Sequence, residues 1–216
     1  MNLTELSPAE SLLLISPKEA KTPQLALLTF WDLVMRNILK AESIPEKEDA
    51  SGHVSEAHEL VSRGPYFEHY LSEKHEAVFL APFEEDPEFS VSLRNLIKMT
   101  FEKMGSSNAY KTYYVIGERL EPYFSANFFQ RMFGIKKLNP KGEVLQTKLQ
   151  NQLNILQSEV ANSETYSDAL LENLMSINGN LLLLEKVDKA LFDELIERRR
   201  KRGSGRAEDV YDGDYD

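Results

Sequence analysis

The sequence predicts a mainly α-helical fold: a compact multi-helix domain with one or two small β-hairpins. Two observations carry that expectation. Apolar residues recur at spacings of three and four over most of the chain, the period of a helix with one buried face. Helix start and stop signals punctuate the same stretches. At 216 residues, 42% of them hydrophobic and 10% aromatic, the chain has enough apolar material for one real core. Residues 1–202 are expected to form that single domain. Residues 203–216, rich in Gly, Asp and Tyr, are expected to be a disordered acidic tail.

Taken in order, Ser7-Pro8-Ala9-Glu10 reads as a capping box with proline at the first helical position, and Ser16-Pro17 closes that short leucine-rich helix. Thr22-Pro23 opens a longer helix to about Lys40, with Leu27, Phe30, Trp31, Val34, Ile38 and Leu39 on one face. Trp31 is read there as a core residue. Residues 41–56, with Ile44-Pro45 and Ser51-Gly52, read as a loop with room for a short strand at 40–44. Residues 55–63 and 65–75 read as short helices separated by Gly64-Pro65. Residues 77–80 read as a strand or a helical turn, and Pro82 and Pro87 as the brackets of an acidic loop.

Helices are expected over 89–104, closed by Gly105, and over 110–123, broken near Pro122. A further short helix over 125–133 ends at Gly134. Asn139-Pro140-Lys141-Gly142 reads as a turn between two strands, 135–138 and 143–145, that could pair as a hairpin. The chain ends in helices over 145–160, from Thr165 or Ser167 to 179, and over 181–200.

Charge and composition exclude several functions. There is no cysteine, so disulfides, thiolate nucleophiles and cysteine metal sites are ruled out. The opening residues lack a signal-peptide pattern, and apolar runs such as 12–15 and 181–184 fall far short of the ~20 residues that span a bilayer. A cytoplasmic location is expected, with peripheral membrane contact as an alternative. The net charge of −10 weighs against a nucleic-acid partner, including a winged-helix-like binder built on the electrically neutral residues 7–45. That charge is uneven: residues 41–88 carry −10, whereas 89–150 carry +6.

The chemistry-bearing constellations are few. His53, His58, His69 and His75 fall close together among glutamates, but their spacing matches no metal motif, and a solvated acidic face is the favoured reading. There is no Gly-x-Ser-x-Gly and no phosphate-binding glycine loop. No catalytic residue, metal ligand or cofactor is therefore expected, and the chain is read as a non-enzyme. The basic run 198–202 reads as a helix end. In the basic middle, Lys111, Arg119, Arg131, Lys136, Lys137 and Lys141 are the candidate anion- or lipid-binding residues, provided they share a face.

The layout resembles the Golgi phosphoprotein 3-like family. Leu6-Ser-Pro-Ala-Glu-Ser-Leu-Leu-Leu-Ile15 resembles that family's leucine-rich first helix, and 25–42 its next helix and strand. Tyr114-Val-Ile-Gly-Glu-Arg-Leu120, with Phe129-Gln-Arg-Met-Phe-Gly-Ile135, resembles its "ERL" stretch, and 169–184 its late apolar helix. The resemblance implies a mostly helical, non-enzymatic, peripheral membrane protein whose eukaryotic members bind phosphatidylinositol 4-phosphate. The sequence departs from the family at the lipid site: the loop 16–22 has no tryptophan, and Tyr114 and Gly117 stand where arginines are expected, leaving Arg119. The leading expectation is thus a helical interaction or adaptor domain with a protein partner. An anionic, phosphoinositide-type membrane surface and self-association are the alternatives, and a metal or catalytic role for His53–His75 comes last.

Overall fold

The computed structural model describes residues 1–44, 47–48, 54–55, 58–125, 137–163, 165–185, 187–188, 190–192 and 194–198. Among these the fold is mainly helical with a small antiparallel sheet, as the periodicity predicts. No helix among the described residues is long and apolar enough to cross a membrane. The expected acidic tail, 203–216, lies outside them.

Helix α1 (Pro8–Ile15) starts as its sequence dictates. The Ser7 side chain accepts from the Glu10 amide, the Glu10 carboxylate accepts from the Ser7 amide, and Pro8 takes a position with no hydrogen bond to lose. Helix α2 (Thr22–Met35) stops five residues before the expected Lys40. Asn37 adopts φ +56°, the Ile38 amide donates to Leu33 O at 2.9 Å and the Asn37 amide to Val34 O at 2.9 Å. This Schellman turn ends the helix while the apolar period runs on, so Ile38 is buried from the turn and Leu39 from the strand that follows it, rather than from a helix. The buried face of α2 is Leu25, Ala26, Phe30 and Leu33, and Trp31 is only partly buried, edge-on to Phe30 at 5.0 Å.

The short strand allowed for at 40–44 is present, and the loop and short helices expected after it give way to a sheet. β1 (Leu39–Ile44) pairs antiparallel with β4 (His58–Arg63), Leu39 opposite Arg63 and Ile44 opposite His58. Inside that hairpin β2 (Lys47–Glu48) pairs with β3 (Val54–Ser55), and β5 (Val91–Ser92) joins β4 on its other side. Leu39 and Val61 are buried while Lys40 and Glu42 face water, a short alternation that polar neighbours hide in the sequence. The stretch 65–75 is not a helix until Lys74. α3 (Lys74–Glu84) then runs straight through Pro82, a residue whose type suggests a loop edge.

α4 (Leu93–Met104) begins at a Ser92 cap and ends at Gly105, φ +74°. The next helical stretch is composite: α5 (Ser107–Ala109), a π-helical turn Tyr110–Ile116, α6 (Gly117–Leu120) and a 3-10 turn Glu121–Tyr123. The hairpin expected across Asn139–Gly142 is absent. Asn139 instead caps α7 (Pro140–Asn162), accepting from the Gly142 amide at 3.0 Å, so 143–145 is helical and Leu138 bridges Phe124. The helix expected over 125–133 lies largely outside the described residues. α8 (Asp168–Ser176) starts at a Ser167 cap, and a 3-10 turn (Asn178–Leu183) occupies the start of the long last helix the sequence predicts. Residues 190–192 and 194–198 are helical.

One core runs through these elements, with Leu13 and Leu14 of α1, Phe30 of α2, Phe79 and Phe83 of α3, Tyr110 and Leu149 fully buried. The 3-10 turn locks onto α2 through a close approach. The Gly179 amide donates to Asp32 Oδ1 at 3.0 Å, and a Cβ at position 179 would sit 2.1 Å from that oxygen.

Candidate functional site

The densest chemistry among the described residues is a polar chain through the core where α1, α3, α6 and α2 meet. At its α1 end, Glu10 is 2% exposed. Its carboxylate accepts from the Ser7 amide at 2.8 Å and lies 3.2 Å from Arg119 Nη1. The Arg119 guanidinium also meets Glu73 Oε1 at 3.5 Å and donates to the Glu5 carbonyl. Ser7 Oγ lies 2.9 Å from His75 Nε2. At its α2 end, Arg36 Nη2 donates to Glu76 Oε1 at 2.8 Å and to the Tyr70 hydroxyl, while Arg36 Nε stands 3.4 Å from Asp32 Oδ2. The Tyr70 hydroxyl and the Glu73 amide donate to Glu76 Oε2 at 2.6 and 2.7 Å.

Burial sets the protonation of this chain. It pushes the Glu10 carboxyl up to about 7, against the Ser7 amide and the Arg119 guanidinium, which pull it down. It pushes the His75 imidazole down, so the ring is neutral at pH 7. The Tyr70 hydroxyl is raised by burial and by the neighbouring Glu76. Arg36 stays charged: burial acts against it, but Asp32 and Glu76 outweigh that cost.

A serine beside a neutral histidine has the outline of a nucleophile and its base. Here Ser7 Oγ already accepts the Glu10 amide as the α1 cap, at 3.3 Å, and His75 is 1% exposed. The pair fastens α1 to α3. The other charged members hold one another in the same way, joining the N-terminal segment to α6 and α2 to α3.

The six basic candidates do not reach a common face through their described members. Arg119 is turned inward onto Glu10 and Glu73. Lys111 is half-buried on the π-helical turn, its amine pushed down by burial. Lys137 and Lys141 are exposed on either side of the Asn139 cap of α7. Arg131 and Lys136 lie outside the described residues. Gly117, where the family resemblance leads one to expect arginine, has φ +48°, a conformation that disfavours any side chain.

The histidines are also apart. His69 is exposed in the segment before α3 and His75 is buried within it; His58 lies in β4, and His53 is outside the described residues. Among the described residues no group of three His, Asp or Glu side chains is arranged to hold a metal ion. Of the basic run 198–202, Arg198 pairs with Asp168 at 3.0 Å and Glu194 at 3.2 Å.

Sequence reading missed a cleft of about 410 Å³ between α1, α2, α7 and the 3-10 turn Asn178–Leu183. Its apolar wall includes Leu12, Ile15, Leu28, Leu153 and Leu182, all only half-buried. Four side-chain amides, Gln24, Gln150, Asn154 and Gln157, line it as well. Gln157 is pre-oriented: its Oε1 accepts from the Glu185 amide at 2.7 Å, so its Nε2 is fixed as a donor, and that donor meets no acceptor among the described residues. The one signal available in the sequence is leucine and glutamine alternating along α7, a pattern that also describes an ordinary amphipathic helix.

No family model, curated protein or solved structure matches the chain.

Proposed function

We propose that this chain is a non-catalytic interaction domain that holds an extended, apolar peptide segment of a partner protein in the α1–α2–α7 cleft. The observation that supports it is the lining. Half-buried leucines from separate elements converge on one concavity, and amides stand among them. An amide both donates and accepts, which matches the alternating N–H and C=O groups of an extended backbone. Leucine pockets take apolar side chains, and a cleft of this size is in the range of small binding sites. No lysine or arginine lines it among the described residues, so an anionic headgroup finds no counter-charge there.

A second reading, peripheral contact with an anionic membrane, is favoured by the outer face of α7. Val144 is 72% exposed there, with Lys141 and Lys148 three and four residues away on the same side and Lys137 just before the helix. This is the reading that the family resemblance implies.

One experiment separates the two. The purified chain is offered a displayed library of short apolar peptides and, in parallel, flotation with neutral and anionic vesicles. The cleft reading expects selected peptides whose affinity falls about 10-fold or more, roughly 1.4 kcal/mol, in Leu28→Arg, and falls again when alternate peptide amides are methylated. Peptide binding that survives Leu28→Arg contradicts it. Salt-sensitive flotation lost in Lys137→Ala/Lys141→Ala, with no peptide selected, establishes the membrane reading in its place.

A further inference from the structure

β4 is the middle strand of the larger sheet, and β1 pairs with it along one side only; among the described residues no strand pairs along the other side of β1. An unpaired edge presents a row of backbone N–H and C=O groups that another strand can take up. We propose that this edge binds the same edge of a second copy of this chain, in a two-fold antiparallel pairing centred on Ala41.

The charge pattern of β1 selects both the partner and the register. Side chains alternate across a strand, so Lys40 and Glu42 share one face of the sheet while Leu39, Ala41 and Ser43 share the other. Leu39 is buried and Ala41 packs against the core. Lys40 and Glu42 are more than half exposed and form an ion pair at 2.6 Å. Their cross-strand neighbours on β4 are Ser62 and Leu60, which carry no charge.

When two such strands pair antiparallel about Ala41, Lys40 of each copy stands opposite Glu42 of the other, and Leu39 opposite Ser43. Opposite charges facing one another across two strands stabilise a sheet, and like charges there destabilise it. A pairing shifted by one residue, about Lys40 or about Glu42, sets that charge against its own copy. A parallel pairing in register does the same at both positions. Only the Ala41 centre matches every charge, and the small alanine on the two-fold axis meets its own copy without crowding.

Lysine on an edge strand ordinarily discourages pairing. On β1 it comes with a glutamate on the same face, so the deterrent is lifted for β1 itself. The pairing joins the two sheets into one across the two-fold axis, an isologous contact that closes at the dimer. One strand edge is a small contact, so the dimer is weak and reversible. No residue of β1 lines the leucine-lined cleft, and the inference is independent of what that cleft binds.

Sedimentation velocity of the full chain, from micromolar to millimolar concentration, tests the inference. The expected result is a reversible monomer–dimer equilibrium. Lys40→Glu turns both cross-strand pairs into Glu–Glu, and Glu42→Lys turns both into Lys–Lys; each weakens self-association about 10-fold. The double variant Lys40→Glu/Glu42→Lys exchanges the charges and restores association to that of the parent chain. An equimolar mixture of the two single variants associates more tightly than either alone, because each supplies the charge the other lacks. Both side chains are exposed, and unchanged circular dichroism confirms that the variants are folded. The inference is overturned if the parent chain stays monomeric at millimolar concentration, if the single variants dimerise as well as the parent, or if the charge exchange fails to restore what the single variants lose.

Discussion

Glu10 carries three roles at once: it completes the α1 capping box, it anchors Arg119 from a helix over a hundred residues later, and it does so out of water. The first role is readable from Ser7-Pro8-Ala9-Glu10, because a capping box is local. The second is not, since nothing near Glu10 in the chain marks Arg119 as its partner. The same contact explains why Arg119, a natural choice for an anion site, points inward. Glu10 also makes stability depend on pH with a definite sign. Its folded pKa of about 7 exceeds the ordinary 4.5, so the folded state holds an extra proton between those values. The stabilisation is complete below pH 4.5 and is lost as pH rises through 7. The shift corresponds to roughly 3 kcal/mol at most. His75 acts in the opposite sense: its pKa is lowered, so its burial disfavours the fold as pH falls below 6.5. Comparison with Glu10→Gln separates the two. Urea unfolding from pH 4.5 to 8 is expected to show the advantage of the parent chain over the variant shrinking as pH rises. A constant difference would mean that Arg119 keeps Glu10 ionised throughout.

Several helix starts were legible, as were the ends of α1 at Ser16-Pro17 and of α4 at Gly105, whereas the end of α2 was not. Ser7, Asn139 and Ser167 cap α1, α7 and α8 with side-chain oxygens, and two of these were readable as starts. Asn139-Pro140-Lys141-Gly142 was misread because the same residues serve a turn and a helix N-terminus, and only the residues beyond Gly142 decide between them. The end of α2 was missed because Asn37 is not glycine, and its left-handed turn preserves the apolar period into β1. That turn gives a paired prediction. Asn37→Gly keeps or raises thermal stability, because glycine takes φ +56° without strain. Asn37→Val lowers stability by about 1–2 kcal/mol, the cost of a left-handed conformation for an ordinary side chain. Equal melting temperatures for the two variants would show that the turn does not determine the end of α2. Beyond the short strand allowed for at 40–44, which β1 bears out, the sheet was hidden for a different reason. β1 and β4 are short and rich in Lys, Glu, His and Ser, so pairing across the hairpin, not composition, makes them strands.

At the scale of the molecule, the mainly helical class followed from periodicity, and its surface did not. The leucine-lined cleft forms only when α1 and α2, near the start, meet α7 and the 3-10 turn more than a hundred residues later. Each contributing leucine reads as a core residue within its own helix. The polar chain from Glu10 to Asp32 fastens the first two helices to α3, α6 and the 3-10 turn, and so sets the geometry of the cleft wall without facing a ligand. The proposed partner-binding role rests on that concavity. Amide hydrogen exchange of the full chain, with and without a selected apolar peptide, tests it most directly. The expected result is slowed exchange in residues 12–16, 150–157 and 182–185, with 137–144 unchanged. Slowing confined to 137–144, or none around the cleft, would contradict the account.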